Sequence, residues 1–350
     1  MNTADCLESL SPFEADLAGR FNASMSRLSP VWPEGRHVCA FSGGADSAAL
    51  LSLLALFLPP ARLLAAHLDH GLRPDSDAEA GAARLAAEKL GLRFESERTD
   101  VGSLARERGR GVEEAARWAR YDFLYRVRDA WPGDFLVTAH QAGDQAETII
   151  LKLARGGGPG ALAGIPAVND GVLRPLLGFT RRELVRWLEA RGVGWLEDPS
   201  NQDLKYARNK VRREVLPRLG ELNPQILDAL GRAARLASAE EEFWDGHLEK
   251  ILRAISERVP DGWVRLSASG MYELTLAEQR RVAGRVLRSV VVPRVGGGEP
   301  VTLSSVDILL EMLSQPGRGG LDLPGGRRVE WRGVCLYVGP ASRYNARSGA

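Results

Sequence analysis

AFSGGADSAAL, residues 40–50, is the stretch on which the reading of this chain turns. Residues 36–41 lead into it as a strand-like run, and the apolar run through residue 58 follows it as a helix. Between them lies Ser42-Gly43-Gly44. Glycines let backbone N–H groups turn inward, and a helix start carries about half a positive charge. Ser42 and Ser47 add hydroxyl donors, and Asp46 either caps the helix or helps hold a magnesium ion beside phosphates. The turn, Ser42, Gly43, Gly44, Ala45, Asp46 and Ser47, thus reads as an anion site. It is neither GxxxxGK[ST], which would bring a lysine to a γ-phosphate, nor GxGxxG. Taken alone, SGG is explained equally well as a tight turn with a helix cap.

Working outward, strand-like runs at 36–41, 63–68, 93–99 and 135–138 alternate with helical patterns at 46–58, 77–90, 112–130 and 144–154. That alternation predicts an α/β fold, a parallel sheet with helices on both faces. Ligands of such sheets bind beyond the carboxyl ends of the strands. The unusual polar clusters fall there: SGGADS after the first run, HLDHGLR at the end of the second, AHQAGDQAET after the fourth. A glycine-rich loop (155–164), a short strand (172–177) and a helix (181–191) continue the first domain. The basic stretch KYARNKVRREVLPR (205–218) holds six Lys or Arg and one acid, with Pro217 expected to end its helix. Beyond it, helices at 224–239, 240–258 and 276–290 and two strand-like runs near 321–338 predict a smaller, mainly helical C-terminal domain with a short β segment. The expected domains are 1–218 and 219–345.

Composition narrows the class. The chain has 350 residues, 46 basic against 45 acidic, so global charge does not mark a nucleic-acid binder. The longest apolar run is far short of the about 20 residues that span a bilayer, and the N-terminus carries acids where a secretory signal carries Lys or Arg. A cytoplasmic protein without a membrane partner is expected. Cys6, Cys39 and Cys335 lie far apart and form no zinc or disulfide spacing.

Three more clusters carry candidates. Asp69, ending the second strand, is placed to face a nucleotide or a metal, whereas His67 beside it reads as a structural strand-end group. Glu113, Arg117 and Arg120 share one helix face, equally an ion-pair ladder on the surface. Asp144 and Glu147 lie near a helix start off its apolar stripe. They could bind magnesium or a cationic amine, although acids favour helix N-termini for the dipole alone. His140, at a strand end, is a general base or a structural hydrogen-bonder.

SGGADS after a strand resembles the pyrophosphate loop of the N-type ATP pyrophosphatases. Taken with HLDHGLR, ExxARxxRY (113–121), TAHQAGDQAET (138–148), LARGGG (153–158), RPLL (174–177), TRREL (180–184) and DPSNQDLKYARNKVR (198–212), the chain resembles the tRNA(Ile)-lysidine synthases over about 35–215. The resemblance implies an adenine nucleotide alpha-hydrolase-like, Rossmann-like domain that uses ATP and Mg2+. It implies that ATP adenylates the C2 oxygen of the wobble cytidine in a tRNA(Ile) with a CAU anticodon, and that the ε-amine of free L-lysine then displaces AMP. By the same resemblance, Ser42 to Ser47 hold ATP and Asp46 and Asp69 are metal ligands. Arg117, His140, Asp144 and Glu147 join them in the reaction pocket, while Arg155, Lys205, Arg208, Asn209 and Arg212 face the tRNA. It further implies a form without a second C-terminal domain, in which Arg280, Arg281, Arg285, Arg288, Arg318, Arg327 and Arg328 are candidate contacts. A homodimer is carried as an expectation that no residue pattern decides.

The closest rival is a tRNA thiolase using the same adenylation loop. It needs a cysteine at the site, and only Cys39 is near, inside the first strand. A catalytically dead RNA-binding module would tolerate losses in SGGADS or DQAET, and a small-molecule ATP pyrophosphatase would not need the basic segment at 198–218.

Overall fold

A computed structural model describes residues 10–71, 76–197, 207–290 and 301–341. Backbone contacts divide the chain into two compact units, one holding residues up to Glu107 and from Gly111 to Ala239, the other Arg108–Arg110 and Glu240 onward. The contacts thus group residues 219–239, which the sequence reading assigned to the C-terminal domain, with the first unit.

The first unit is built on a six-stranded sheet. In chain order its elements are α1 (Pro12–Leu28), β1 (His37–Ala40), α2 (Ala45–Phe57), β2 (Leu63–Asp69), α3 (Ser76–Lys89), β3 (Arg93–Arg98), α4 (Val101–Glu107), α5 (Val112–Ala130), β4 (Phe135–Val137), α6 (Ala142–Ala154), β5 (Val168–Asn169), β6 (Val172–Leu173) and α7 (Arg181–Ala190). The strand order is β3-β2-β1-β4-β6-β5, parallel except for the β5–β6 pair. The chain leaves β1 toward β2 on one side, while β4 flanks β1 on the other. The ends of β1 and β4 therefore form the switch point where such sheets bind ligands.

α2 explains the apolar run after the opening turn. It is buried on every side from Ala48 to Leu54, as a helix without a polar face must be. α1 and α7 cover it through Leu17, Phe21, Met25, Leu184, Trp187 and Leu188. On the opposite face α5 packs Phe123 and Leu124 against Val38, Leu64 and Leu136. α1 is absent from the sequence reading, yet its start is written in Ser11-Pro12-Phe13-Glu14, a reciprocal capping box with proline in the first turn.

Pro217 does not end its helix. Residues Ala207–Lys210 (α8) pass through a π turn, Val211–Val215, into α9, Leu216–Leu222. Leu216 N–H donates five residues back to Val211, and the proline then enters in the first turn of α9, where a missing N–H is tolerated. The two helices expected at 224–239 and 240–258 are one, α10 (Ile226–Ile255).

The second unit contains more sheet than a short β segment. β7 (Ser256–Val259), β8 (Trp263–Ser267), β9 (Gly320–Leu323), β10 (Arg327–Arg332) and β11 (Cys335–Pro340) form an antiparallel sheet of order β7-β8-β11-β10-β9. α11 (Ala268–Tyr272), α12 (Leu276–Ser289) and α13 (Leu303–Leu313) complete the unit. Its core joins Leu248, Val286 and Leu309 to Val329, Leu336 and Val338. Among the described residues no helix is long and apolar enough to cross a membrane.

His37, at the start of β1, is fully buried between Trp32 and Phe135, and burial pushes its imidazole down to about 4. The folded state therefore resists protonation that the unfolded chain accepts near 6.5. The stability this provides is complete above about pH 6.5 and is lost as pH falls toward 4. Urea midpoints measured at pH 7.5 and 5 are expected to fall more steeply for the natural protein than for His37→Phe. Equal pH dependence in both would contradict the assignment.

Candidate functional site

The site begins with backbone. After β1, Phe41 N–H donates to Ala66 O at 2.8 Å, and the chain turns through Ser42 to Gly44 into α2. Gly43 has φ +82°, and a Cβ there would stand 2.9 Å from Leu196 Cδ1. Only glycine meets both demands. Leu196 N–H donates to Gly43 O at 2.9 Å and forms a parallel bridge with Gly44, so residues after α7 return to brace the turn. Ser47 Oγ donates to Gly44 O at 2.9 Å and accepts from Ser42 N at 3.2 Å. Gly44, the N-cap of α2, supplies no side-chain bond to the first-turn N–H groups. The result is a braced concave turn at an uncapped helix start, suited to an oxyanion.

Asp46 sits in the first turn of α2. Its Oδ2 accepts from Arg181 at 3.1 Å, while Oδ1 is buried with no partner among the described residues. Burial holds its carboxyl above the usual range against the opposing charge of Arg181, and the charges of Asp144 and Arg212 also act on it. Asp69 ends β2, 7% exposed, accepting from Gly71 N at 2.8 Å and lying 3.5 Å from Arg98 Nε. His67 Nδ1 bonds Phe41 O at 2.9 Å and so ties β2 to the residue before the turn.

Across the switch point, Gln141 caps α6 in a reciprocal box with Asp144, whose Oδ2 accepts from Gln141 N at 2.9 Å. Asp144 is thus the third residue of the helix, which starts at Ala142 and not at Asp144 as the sequence suggested. Its free oxygen and the whole of Glu147 face α8 and the π turn. Arg208 donates to Glu147 Oε2 at 2.6 Å and to Asp144 Oδ1 at 2.8 Å. Arg212 donates to Glu147 Oε1 at 2.5 Å and to Asp144 Oδ1 at 3.5 Å. Glu147 is 1% exposed and is met by both guanidiniums, the pairing a buried carboxylate needs. Two arginines expected to face RNA are therefore bound to the two carboxylates expected in the reaction pocket.

His140, between β4 and α6, bonds Thr138 Oγ1 through Nδ1 at 2.9 Å. Burial pushes its imidazole down to about 3, Asp144 opposing this and Arg120, Arg174 and Arg208 adding to it. It is neutral at physiological pH. Arg117 and Arg120 do not form a ladder with Glu113. Their guanidiniums stand 5.0 and 5.7 Å from the ring centre of Tyr121. Gln145, which lies in TAHQAGDQAET but is not among the candidates, clamps the glycine-rich loop by accepting from Ile165 N at 2.6 Å. Gly164 in that loop has φ +61° and no room for a side chain beside Gln145.

Of the remaining candidates, Arg155 caps the C-terminal end of α6 with an exposed side chain, and Asn209 lies on α8 beside Arg208. Lys205 falls outside the described residues. In the second unit, Arg281 pairs with Glu241 at 2.7 Å, Arg285 with Asp245, Arg280 with Asp307 at 3.8 Å and Arg318 with Glu311 at 3.5 Å. Arg328 pairs with Asp322 and Glu330, Arg327 donates to Leu287 O, and Arg288 is held below its usual value by burial. Cys39 is wholly buried in β1, and burial pushes its thiol up.

A magnesium ion fits this donor set in part. Asp46 offers a buried, unpartnered oxygen, while both oxygens of Asp69 are engaged. Among the described residues no three His, Cys, Asp or Glu cluster as a metal cage. That matches a cation held by one or two carboxylates and the phosphates of its nucleotide.

The family model for the PP-loop domain matches residues 17–219. A tRNA(Ile)-lysidine synthase of Deinococcus deserti is 39% identical over 89% of this chain and 54% of its own length. One of Thermus thermophilus is 38% identical over 91% and 59%, and one of Chlorobaculum tepidum is 34% identical over 77% and 82%. The chain thus spans little more than half the length of the first two. Among solved structures, the U34-tRNA thiolase NcsA from Methanococcus maripaludis, with its [4Fe-4S] cluster, superposes with a TM-score of 0.55 at 18% identity, covering 65% of this chain and 80% of that one. That likeness concerns the fold alone.

Gly43→Ala is expected to weaken ATP binding at least tenfold by calorimetry. It should also lower stability by about 1–2 kcal/mol in urea, the strain of a left-handed alanine. Unchanged affinity would show that the turn does not hold the nucleotide.

Proposed function

Because this chain belongs to the PP-loop family and, within it, to the tRNA(Ile)-lysidine synthases, we propose that it ligates free L-lysine to C2 of the wobble cytidine in a CAU-anticodon tRNA(Ile). ATP adenylates the C2 oxygen with release of pyrophosphate. The lysine ε-amine then bonds to C2, the C2–O bond breaks, and AMP leaves with that oxygen. Adenylation is needed because a cytosine carbonyl oxygen is a poor leaving group. A loop base is accessible to it because a single strand can splay a base into a pocket.

The observation that carries this reading is the juxtaposition of opposite sites. An uncapped helix start after β1 suits the pyrophosphate, and the Asp144–Glu147 pair across the switch point suits a cation. The charge of Asp144 helps to hold the Asp46 carboxyl up, so the two lie within electrostatic reach of one another. Arg208 and Arg212 already neutralise the pair, so an amine entering there must share or displace a guanidinium. His140, with a pKa pushed down to about 3 by burial, is too weak a base for neutral pH and serves as a hydrogen-bonding group. The carboxylates are then the groups that bind and orient the amine. Magnesium would sit on Asp46 and would neutralise phosphate charge, and Asp69 would join it only by giving up Gly71 N–H or Arg98.

Residues 240–341, with the segment that contains Lys205, Arg208, Asn209 and Arg212, are read as the tRNA-facing parts. The thiolase reading is weaker, because the one cysteine in the described part of the first unit is buried in β1.

Purified protein with ATP, magnesium, radiolabelled lysine and a CAU-anticodon tRNA(Ile) transcript is expected to incorporate lysine, and to stop when the wobble base is U. Pyrophosphate release without lysine incorporation would keep the adenylation loop and overturn the nucleophile. Asp46→Ala is expected to lower turnover at least a hundredfold while tRNA affinity changes less than twofold. Normal turnover would remove Asp46 from the site.

A further inference from the structure

Arg174 follows β6 and is 4% exposed. Its Nη1 donates to Pro166 O at 2.9 Å and its Nη2 to Tyr121 Oη at 3.3 Å. Its Nε is buried without a partner, and no carboxylate pairs with this guanidinium among the described residues. A guanidinium cannot shed its proton, and a buried charge without a counter-ion costs several kcal/mol.

The same phenol gathers two more cations. Arg120 and Arg117 lie 5.7 and 5.0 Å from the Tyr121 ring centre, and neither has a carboxylate partner among the described residues. Burial pushes the Tyr121 phenol up, but the bond from Arg174 and the charges of the three arginines outweigh it and hold the phenol below its usual value. Arg120 and Arg174 also act on His140, and Asp144 acts on both His140 and Asp46. The cluster therefore lies within electrostatic reach of His140, which the reading above sets in the reaction pocket.

We propose that Arg174 and Arg120, organised by Tyr121 with Arg117 beside them, form a receptor for a phosphate group at the wall of the reaction pocket. Guanidiniums converging from two elements, α5 and the end of β6, suit tetrahedral oxygens better than a planar carboxylate. On the function proposed above, two sources supply such a group: the α-phosphate that ATP delivers to the base, and the backbone of the RNA strand that carries the base. Tyr121, which accepts from Arg174 and lies beside Arg117 and Arg120, is a positioning residue.

The test is binding by the full-length Arg174→Lys and Arg120→Ala proteins to ATP, to a CAU-anticodon tRNA transcript over a salt series, and to lysine, with melting temperature as the control for folding. A fall of about tenfold in ATP affinity, with tRNA affinity kept, assigns the α-phosphate. A fall of about tenfold in tRNA affinity, with the log–log salt slope reduced by about 0.7–0.9, assigns one backbone phosphate. If all three affinities hold in a folded Arg120→Ala protein, or only that for lysine falls, the phosphate assignment is overturned. Should Arg174→Lys fail to fold, Arg120→Ala carries the test, since its removal breaks no ion pair among the described residues and takes away a guanidinium held below its usual value by burial. Because binding is read, failure of the natural protein to incorporate lysine would count against the ligase reading and not against this one.

Discussion

Glu147 is a carboxylate on a helix that faces the core, 1% exposed, and it imposes a condition on the rest of the first unit. A buried charge must be met by another, and here two arginines meet it from residues 61 and 65 positions later. The chain must therefore return across the carboxyl end of the sheet after α7, and α8 and the π turn must present Arg208 and Arg212 on one side. A regular α-helix places residues four apart on one face. Arg208 and Arg212 have that spacing, and the wide turn that follows absorbs Pro217 without breaking the rod.

The same return braces the anion turn. Leu196 pairs with Gly43 and Gly44, so the segment that leads to the arginines also fixes the backbone that would hold pyrophosphate. Two sites of opposite sign are thereby set by one crossing of the chain. The adjacency of a helix start free for an anion and an acidic pair fit for a cation is what an ATP-driven attack by an amine requires. The cationic cluster on Tyr121 adds a third charge centre.

What was legible in the sequence follows from local physics. β1 to β4 and α2, α5 and α6 lie within a few residues of their predicted spans, because period-2 and period-3.6 patterns and strand-end polar clusters are local signals. The turn before α2 was legible for the same reason. Long-range pairing was not. Nothing near residue 208 announces Glu147, so the basic run read as a surface for RNA while two of its charges are held by carboxylates. Arg174 was visible only as part of RPLL, since burial and a missing partner are properties of the fold. Other omissions had readable signals: the capping box at Ser11 for α1, and Pro260-Asp261-Gly262 as the turn between β7 and β8. The single helix through residues 239 and 240 lacks any glycine or proline at that point, which is the signal the sequence reading passed over.

The central claim is that Asp144 and Glu147 receive the cationic amine beside a nucleotide held by the Ser42–Ser47 turn. Equilibrium dialysis of radiolabelled lysine in the presence of ATP tests it, comparing the natural protein with Asp144→Asn and Glu147→Gln. Lysine affinity is predicted to fall at least tenfold in both variants while ATP affinity stays within twofold. Lysine binding that is unchanged in folded variants would contradict the account and place the amine elsewhere.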